Sequence, residues 1–275
     1  MLNELTTLQK KIFDYEIRRD SEYDENAKYR VGMSSTLSFF QVGELFDITF
    51  YGQGYDDNAS VKADDTNDKG LNFAFCGLLD LLCEQKNADK LISITFTGPD
   101  EGANGSRTWD FTRLTNSEVI FSKLQSFSVS LTDLGDHNQS IIDGYWLEEE
   151  GMIAKLISKM PVLDILVVPS APNKSFFEIG DHPLSYLMLQ AGYSNQNFIE
   201  NIANSNNFKK LRTLDFTEVF KIPHYPIEEY TSFNSYKKFL QSPAFSSLGK
   251  LIRHAQLTKQ QLAELQRMSA HFLYT

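Results

Sequence analysis

Five histidines are the residues best suited to acid–base or metal chemistry in this sequence. They are His137, His182, His224, His254 and His271. None lies four residues from another histidine, and none belongs to a Cys-x-x-Cys context, so the spacing typical of zinc ligands is absent. His137 and His182 each follow an aspartate, but adjacent residues do not face the same way. We therefore expect exposed loop histidines and no metal or other cofactor.

The acidic stretch "DDTNDKGLNF" has part of the pattern of a calcium-binding loop. Asp64, Thr66 and Asp68 occupy alternate positions, as calcium ligands do. Lys69 stands where the loop needs a glycine, and Phe75 stands where it needs a bidentate glutamate. The pattern therefore favours a solvated acidic loop. The sequence also contains neither a Gly-x-Ser-x-Gly elbow nor a Gly-x-x-x-x-Gly-Lys phosphate loop.

The glycine-rich stretch "GQGYDD" ends in Asp56 and Asp57. It lacks the third glycine and the following helix of a dinucleotide-binding loop, so it indicates a turn. These two aspartates and His182 are scattered polar residues on which an alternative function depends. That alternative is an enzyme or a small-molecule-binding α/β protein, which needs them to converge in a pocket.

An acidic segment with two aromatic residues is a candidate for binding a basic partner. Between residues 125 and 154 there is no Lys or Arg, whereas Glu148, Glu149 and Glu150 follow Tyr145 and Trp146. Aromatic side chains supply binding energy at interfaces, and acidic ones steer a basic partner. The alternative is that the three glutamates stabilise the first turn of the next helix.

Composition limits the possible partners. The chain has 275 residues, 41% hydrophobic residues, 21 Phe and a formal net charge of −10. Binding to nucleic acid or to an anionic membrane needs a basic surface, so neither is expected. The free thiols Cys76 and Cys83 are expected to be reduced, and no signal peptide or membrane span is predicted. We expect a cytoplasmic protein whose acidity suits a basic protein partner.

The elements that position these residues begin with an α+β segment. The spacing of apolar residues predicts a helix over residues 3–19, two strands with a turn near Gly43, and a buried helix from Leu71 to Cys83. We interpret residues 1–90 as an N-terminal α+β cap. Residues 91–275 follow as a second domain.

This second domain contains a recurring apolar-x-x-apolar-x-apolar unit. The units are Leu91-Ile94-Phe96, Leu124-Phe127-Val129, Leu163-Leu166-Val168, Leu184-Leu187-Leu189 and Leu211-Leu214-Phe216, with a degraded sixth at Leu248 and Leu251. They start 33, 39, 21, 27 and 37 residues apart, while leucine-rich repeats recur every 20–29 residues. Polar loops and helix-like runs separate them, which predicts an irregular solenoid whose strands are parallel. The insertion after the first unit, "TGPDEGANGSRTWDF", has the turn residues of a hairpin. An ordinary α/β sheet is the alternative.

The stretches "KSFFEIGDHPLSYLMLQAGYSNQNFIENIANSNNFKKLRTLDFTE" and "FNSYKKFLQSPAFSSL" resemble a group of uncharacterised bacterial cytoplasmic leucine-rich-repeat-like proteins. The resemblance covers roughly residues 160–255. It implies a curved repeat domain that acts as an interaction module. It implies no catalytic residues.

Positions between the unit leucines are expected on the concave face of such a solenoid. On the first two strands they are serines and threonines. The candidate partner-binding residues on the later strands are Ile165, Val167, Tyr186, Met188, Gln190, Thr213 and Asp215. An apolar patch with a polar rim is typical of a protein-binding surface. The alternative is that the helix or loop after each strand covers it.

Together these observations predict an α/β fold, an irregular leucine-rich-repeat-like solenoid with parallel strands and an α+β cap. The function expected is non-enzymatic protein binding. Its most concrete form is a bacterial immunity (antitoxin) protein that binds and occludes a basic toxin. A cytoplasmic scaffold with several partners is a third hypothesis, and it shares the same fold.

Overall fold

The structure is a computed structural model, and it describes residues 1–23, 35–54, 73–100, 105–133, 135–142, 149–218, 230–246, 248–254 and 257–274. The strands are β1 (Thr36–Val42), β2 (Leu45–Tyr51), β3 (Leu91–Thr97), β4 (Gly105–Trp109), β5 (Ser126–Val129), β6 (Asn138–Ile142), β7 (Ile165–Val168), β8 (Tyr186–Gln190), β9 (Thr213–Thr217), β10 (Lys250–His254) and β11 (Phe272–Tyr274). The helices are α1 (Leu2–Tyr23), α2 (Phe73–Leu82), α3 (Gln85–Ala88), α4 (Thr112–Asn116), α5 (Met152–Ser158), α6 (Phe198–Ala203), α7 (Phe233–Leu240), α8 (Pro243–Ser246) and α9 (Lys259–Met268), with a 3₁₀ helix at Lys174–Glu178.

One large sheet organises the chain. Its order is β1-β2-β3-β5-β7-β8-β9-β10-β11, which is also the order of these strands in the sequence. β1 and β2 pair antiparallel, and every later pair of neighbours is parallel. Parallel neighbours need crossover connections, which most of the helices and some loops provide. The predicted α/β class is therefore confirmed, and the sheet continues from β2 to β3 across residue 90.

The recurring apolar units lie on one face of this sheet. Their central positions pair laterally in one row: Ile94, Phe127, Leu166, Leu187, Leu214 and Leu251. All of them are buried, because alternate residues of a strand point to the same side. Helix residues such as Leu78, Leu156 and Ile202 join the same core. Complete burial of each large apolar side chain stabilises the fold by about 1.5–3 kcal/mol.

Aromatic side chains fill the space between the sheet and its helices. Beneath β2, β3 and β5, the rings of Phe75, Phe96 and Phe111 pack mostly edge to face, and the Phe96 and Phe111 centroids are 5.0 Å apart. A second group lies under β8 and β9, where Phe176 stacks on Phe208 at 4.7 Å. Such pairs add about 0.5–1.5 kcal/mol beyond the area that they bury. Much of the high phenylalanine content is therefore core.

The N-terminal predictions are largely confirmed. Leu5, Leu8 and Ile12 of α1 are buried, whereas Phe13 is exposed. β1 and β2 form a hairpin whose turn contains Gly43 at φ 64°, a value that favours glycine. None of the helices in the described part of the chain combines the length and the apolar character needed to cross a bilayer.

The prediction of a hairpin in "TGPDEGANGSRTWDF" is wrong. β4 lies in this insertion, and it pairs in parallel with β6 in a separate two-stranded sheet. Trp109 of β4 points into the core, where its ring packs on Phe96 at 5.9 Å and its Nε1 donates to Ser140 Oγ of β6 at 3.2 Å. Contacts with residues distant in sequence, and not the local turn residues, therefore determine this pairing.

Candidate functional site: the open face of the sheet

The face of the large sheet opposite the helices carries the side chains between the buried leucines. We call it the open face. One row across it consists of Asp47, Ser93, Ser126, Ile165, Tyr186, Thr213 and Lys250. The next row consists of Thr49, Thr95, Ser128, Val167, Met188 and Asp215. Most of these side chains are partly exposed, and Ile165 reaches 38% exposure, so the patch is accessible.

The open face has two chemically different halves. On β3 and β5 its side chains are the hydroxyls of Ser93, Thr95, Ser126 and Ser128, and on β7 and β8 they are Ile165, Val167, Tyr186 and Met188. These eight positions carry no charge. Charged residues stand on either side of them, with Asp47 on β2, Asp215 on β9 and Lys250 on β10. An apolar centre with a polar and charged margin is the usual composition of a protein-binding surface.

Tyr186 and Met188 form a joined pair at the centre of the apolar half. The Tyr186 hydroxyl donates to Met188 Sδ at 3.6 Å. Burial raises the pKa of Tyr186, and the negative charge of Asp215 raises it further. The hydroxyl therefore stays protonated at neutral pH and remains a donor. Tyrosine and methionine both fit an interface, since each offers a large polarisable surface.

Gln190 was predicted to bind a partner, but it is buried and used within the chain. Its Oε1 accepts from Thr132 N at 2.8 Å, and its Nε2 donates to Thr132 O at 2.9 Å. The amide therefore fastens the loop after β5 to the end of β8. Asp215 is also buried, which leaves Ile165, Val167, Tyr186, Met188 and Thr213 as the accessible predicted residues.

The alternative expectation was that the helix or loop after each strand covers the open face. The structure supports it at the loop that contains Thr132. It covers Gln190 at the end of β8, as a covering loop was expected to do. The central positions of β7 and β8 keep their partial exposure. On β7 and β8, this loop therefore covers the end of the open face and leaves the central positions accessible.

Glu149 of the acidic segment was predicted to belong to an exposed patch, but it is buried. Its Oε1 accepts from Ile153 N at 2.7 Å in the first turn of α5, and its Oε2 accepts from Asn173 N at 3.0 Å. Burial raises the pKa of Glu149, and the backbone donors oppose that rise. This geometry fits the alternative in which the acids stabilise the helix terminus.

The other members of that segment divide into two groups. Glu150 is exposed at the start of α5 and is free to contact solvent or a partner. Tyr145, Trp146 and Glu148 lie outside the described residues. The proposed aromatic anchors are therefore not located by the structure.

His182 is buried, which corrects the expectation of an exposed loop histidine. Its Nε2 lies 3.1 Å from Met160 O, and its ring centroid lies 6.2 Å from that of Phe208. Burial lowers the pKa of His182, so the ring is neutral at physiological pH. Asp56 and Asp57, its partners in the enzymatic alternative, lie outside the described residues.

His137 is exposed, as expected, and it interacts with an acid that the sequence did not indicate. The acid is Asp100, which accepts from His137 N at 2.9 Å and lies 2.9 Å from His137 Nδ1. These contacts lower the pKa of Asp100. The pair ties the loop after β3 to the start of β6. Among the residues that the structure describes, no three His, Cys, Asp or Glu side chains are grouped as a metal site would require.

Sequence reasoning missed two features near the open face. Phe40 of β1 faces Asp47 and extends the first row to the sheet edge, where it is 78% exposed. The alternation in "TLSFFQV" indicates this position, but β1 precedes the recurring apolar units, which begin at residue 91. Glu218 is also buried after β9, where it accepts from Tyr236 OH at 2.7 Å and Thr231 N at 2.9 Å. A single acid at a strand end has no sequence signal of its own.

Comparison of the chain with protein-family models, curated proteins and solved structures gave no match. The open face is therefore the basis for proposing a function.

Proposed function

We propose that this protein is a non-enzymatic binding protein whose open face receives a protein partner. One observation carries the proposal: helices cover one face of the sheet, while the opposite face presents Ile165, Val167, Tyr186 and Met188 beside a row of hydroxyls. Tyrosine is among the side chains that contribute most binding energy at such surfaces, and methionine is enriched in them. The neighbouring serines and threonines supply adaptable hydrogen bonds around them.

We also propose that the sheet is an irregular leucine-rich-repeat-like solenoid. Its parallel strands follow chain order, and the central residue of each apolar unit joins one buried row across the sheet. In a solenoid each unit contacts its neighbours, so a broad surface forms from many short strands. A broad surface suits a folded protein partner better than a small ligand.

The most concrete form of the proposal is a bacterial cytoplasmic immunity protein that occludes a toxin. Toxin domains of bacteria are frequently basic, and this chain has a formal net charge of −10. Opposite net charges accelerate association, while the apolar anchors determine how slowly the complex dissociates. Blocking an active site requires tight binding and no chemistry from the inhibitor.

The first test is affinity capture of the tagged protein from its native cells, with mass spectrometry, followed by calorimetric titration of the purified partner. We expect one stoichiometric basic partner. Replacing Tyr186→Ala and Met188→Ala together should weaken binding by at least about tenfold, or about 1.4 kcal/mol. Ile165→Lys should have the same effect, because it places a charge in the apolar half.

The matched control lies on the helix side of the molecule. Lys174 and Glu178 are exposed and form an ion pair at 3.6 Å on the 3₁₀ helix. The double replacement Lys174→Ala and Glu178→Ala should leave binding unchanged. Circular dichroism of every variant checks that the fold is intact. If no partner is enriched, or if the open-face variants bind normally, the proposed function is wrong.

A further inference from the structure

β1 forms one edge of the large sheet, and in the described part of the chain no strand lies on its outer side. Its Phe40 and Val42 have 78% and 65% exposure, the highest among the large apolar side chains of the described residues. Natural edge strands are usually protected by lysine, proline or a bulge. The strand "TLSFFQV" contains no charge and no proline, and its pairing with β2 has no register shift. This edge is therefore open to another strand.

The direction of the free backbone groups follows from the hairpin. The two-residue turn Gly43–Glu44 closes on Val42 and Leu45, which face each other as a hydrogen-bonded pair in such hairpins. Hydrogen-bonded positions alternate along an antiparallel pair. The N–H and C=O groups of Phe39 and Gln41 therefore point outward, away from β2.

A contact from α1 supports this assignment. Gln9 Nε2 donates to the Leu37 carbonyl at 2.7 Å, so that carbonyl also points away from β2. Leu37 is two residues before Phe39 and has the same orientation. The Leu37 carbonyl thus has a partner within the chain, whereas the N–H and C=O groups of Phe39 and Gln41 point away from the sheet.

We propose that β1 pairs antiparallel with β1 of a second copy, about a twofold axis at Phe40. In this register Phe39 faces Gln41 of the second copy, and the two residues exchange N–H···O bonds in both directions. The Leu37 carbonyl keeps its bond from Gln9. The two Phe40 side chains meet as a non-hydrogen-bonded pair, in which the Cα atoms are about 4.5 Å apart.

A second copy of the chain is the favoured partner for this edge, because β1 is complementary to itself. Around this axis Val42 lies opposite Ser38 of the second copy, so each exposed apolar side chain of β1 gains a neighbour. A twofold interface requires the same patch on both partners, and β1 meets this condition with uncharged residues alone. The net charge of −10 per copy opposes association only weakly, since screening extends over about 8 Å at physiological ionic strength.

Edge pairing is independent of the proposed function. It joins the two large sheets side by side and leaves Ile165 and Tyr186 uncovered on the open face. Loss of edge pairing and loss of partner binding are therefore separate results, measured on different variants.

The experiment is sedimentation equilibrium of the full chain across a range of concentrations. We expect the wild type to approach twice the chain mass of 31.4 kDa. Phe40→Lys brings two like charges together on the axis, and Gln41→Pro removes an outward N–H that does not take part in the pairing of β1 with β2. Both should shift the mass to that of one chain. Val162→Lys is the matched control, since Val162 is also exposed but lies outside β1.

A cross-linking measurement tests the register. Phe40→Cys should give a disulfide-linked dimer under mild oxidation, because its two sulfurs lie within bonding reach at a non-hydrogen-bonded pair. Val162→Cys, oxidised under the same conditions, should stay largely without cross-links. A wild type that remains a single chain at every concentration overturns the proposal. So does a dimer that persists in both Phe40→Lys and Gln41→Pro.

Discussion

The side chain of Gln190 holds the backbone of Thr132 at both of its polar groups. Oε1 accepts from Thr132 N at 2.8 Å, and Nε2 donates to Thr132 O at 2.9 Å. Gln190 ends β8, and Thr132 lies in the loop after β5; β7 separates these two strands in the sheet. The loop after β5 therefore crosses one strand and limits the open face at that end.

Replacing Gln190→Met should lower the free energy of unfolding by about 1–3 kcal/mol, because it leaves the Thr132 N–H and C=O without their partner. Urea denaturation measures this change. Gln125→Met is the control, since Gln125 is exposed, and it should change stability by less than about 0.5 kcal/mol. Equal effects in the two variants would contradict the role assigned to Gln190.

The stability of the protein should contain a pH-dependent contribution from Glu149. Burial raises the pKa of this carboxyl above its usual 4.5, so the folded state holds its proton more tightly than the unfolded state does. The contribution is fully present below pH 4.5 and is lost as the pH rises through the raised pKa. The stability difference between the wild type and Glu149→Gln should therefore fall as the pH rises. Glu150→Gln, at an exposed neighbour, should show no such trend.

His182 should produce the opposite dependence. Burial lowers its pKa below 6.5, so the unfolded state binds the proton more readily. The contribution of His182 to stability is fully present above pH 6.5 and is lost as the pH falls through the lowered pKa. Thermal unfolding between pH 8 and about pH 5 should show this loss in the wild type and not in His182→Gln. His271→Gln, at an exposed position, should retain the wild-type dependence.

A close crossing of two glycines joins β2 to the segment after β3. A Cβ atom on Gly98 would collide with the carbonyl oxygen of Gly52. Gly98→Ala should therefore force the strands apart and cost about 1–3 kcal/mol of stability. Gly135→Ala is the control, because its Cβ would meet nothing within 4 Å. Guanidinium denaturation of both variants tests the difference.

Local sequence pattern determined the inward face of the sheet. Leu187, Leu214 and the equivalent residues of the other strands recur with the alternation of a strand, and a strand places alternate side chains on the same side wherever it lies. The same rule identified Ile165, Val167, Tyr186 and Met188 as outward residues. The α1 helix and the turn at Gly43 were predictable for a similar reason, since their signals lie within a few residues.

The tertiary structure alone decided what covers each residue. Gln190 and His182 have no local pattern that predicts burial, and each contacts residues distant in the sequence. Glu149 is held partly by Ile153, which is near in the sequence, and partly by the distant Asn173. The pairing of β4 with β6 has the same origin, because Trp109 is held by Phe96 and Ser140 and not by its neighbours. A sequence determines which way a side chain points within its element. Whether anything lies in front of that side chain depends on how the whole chain packs.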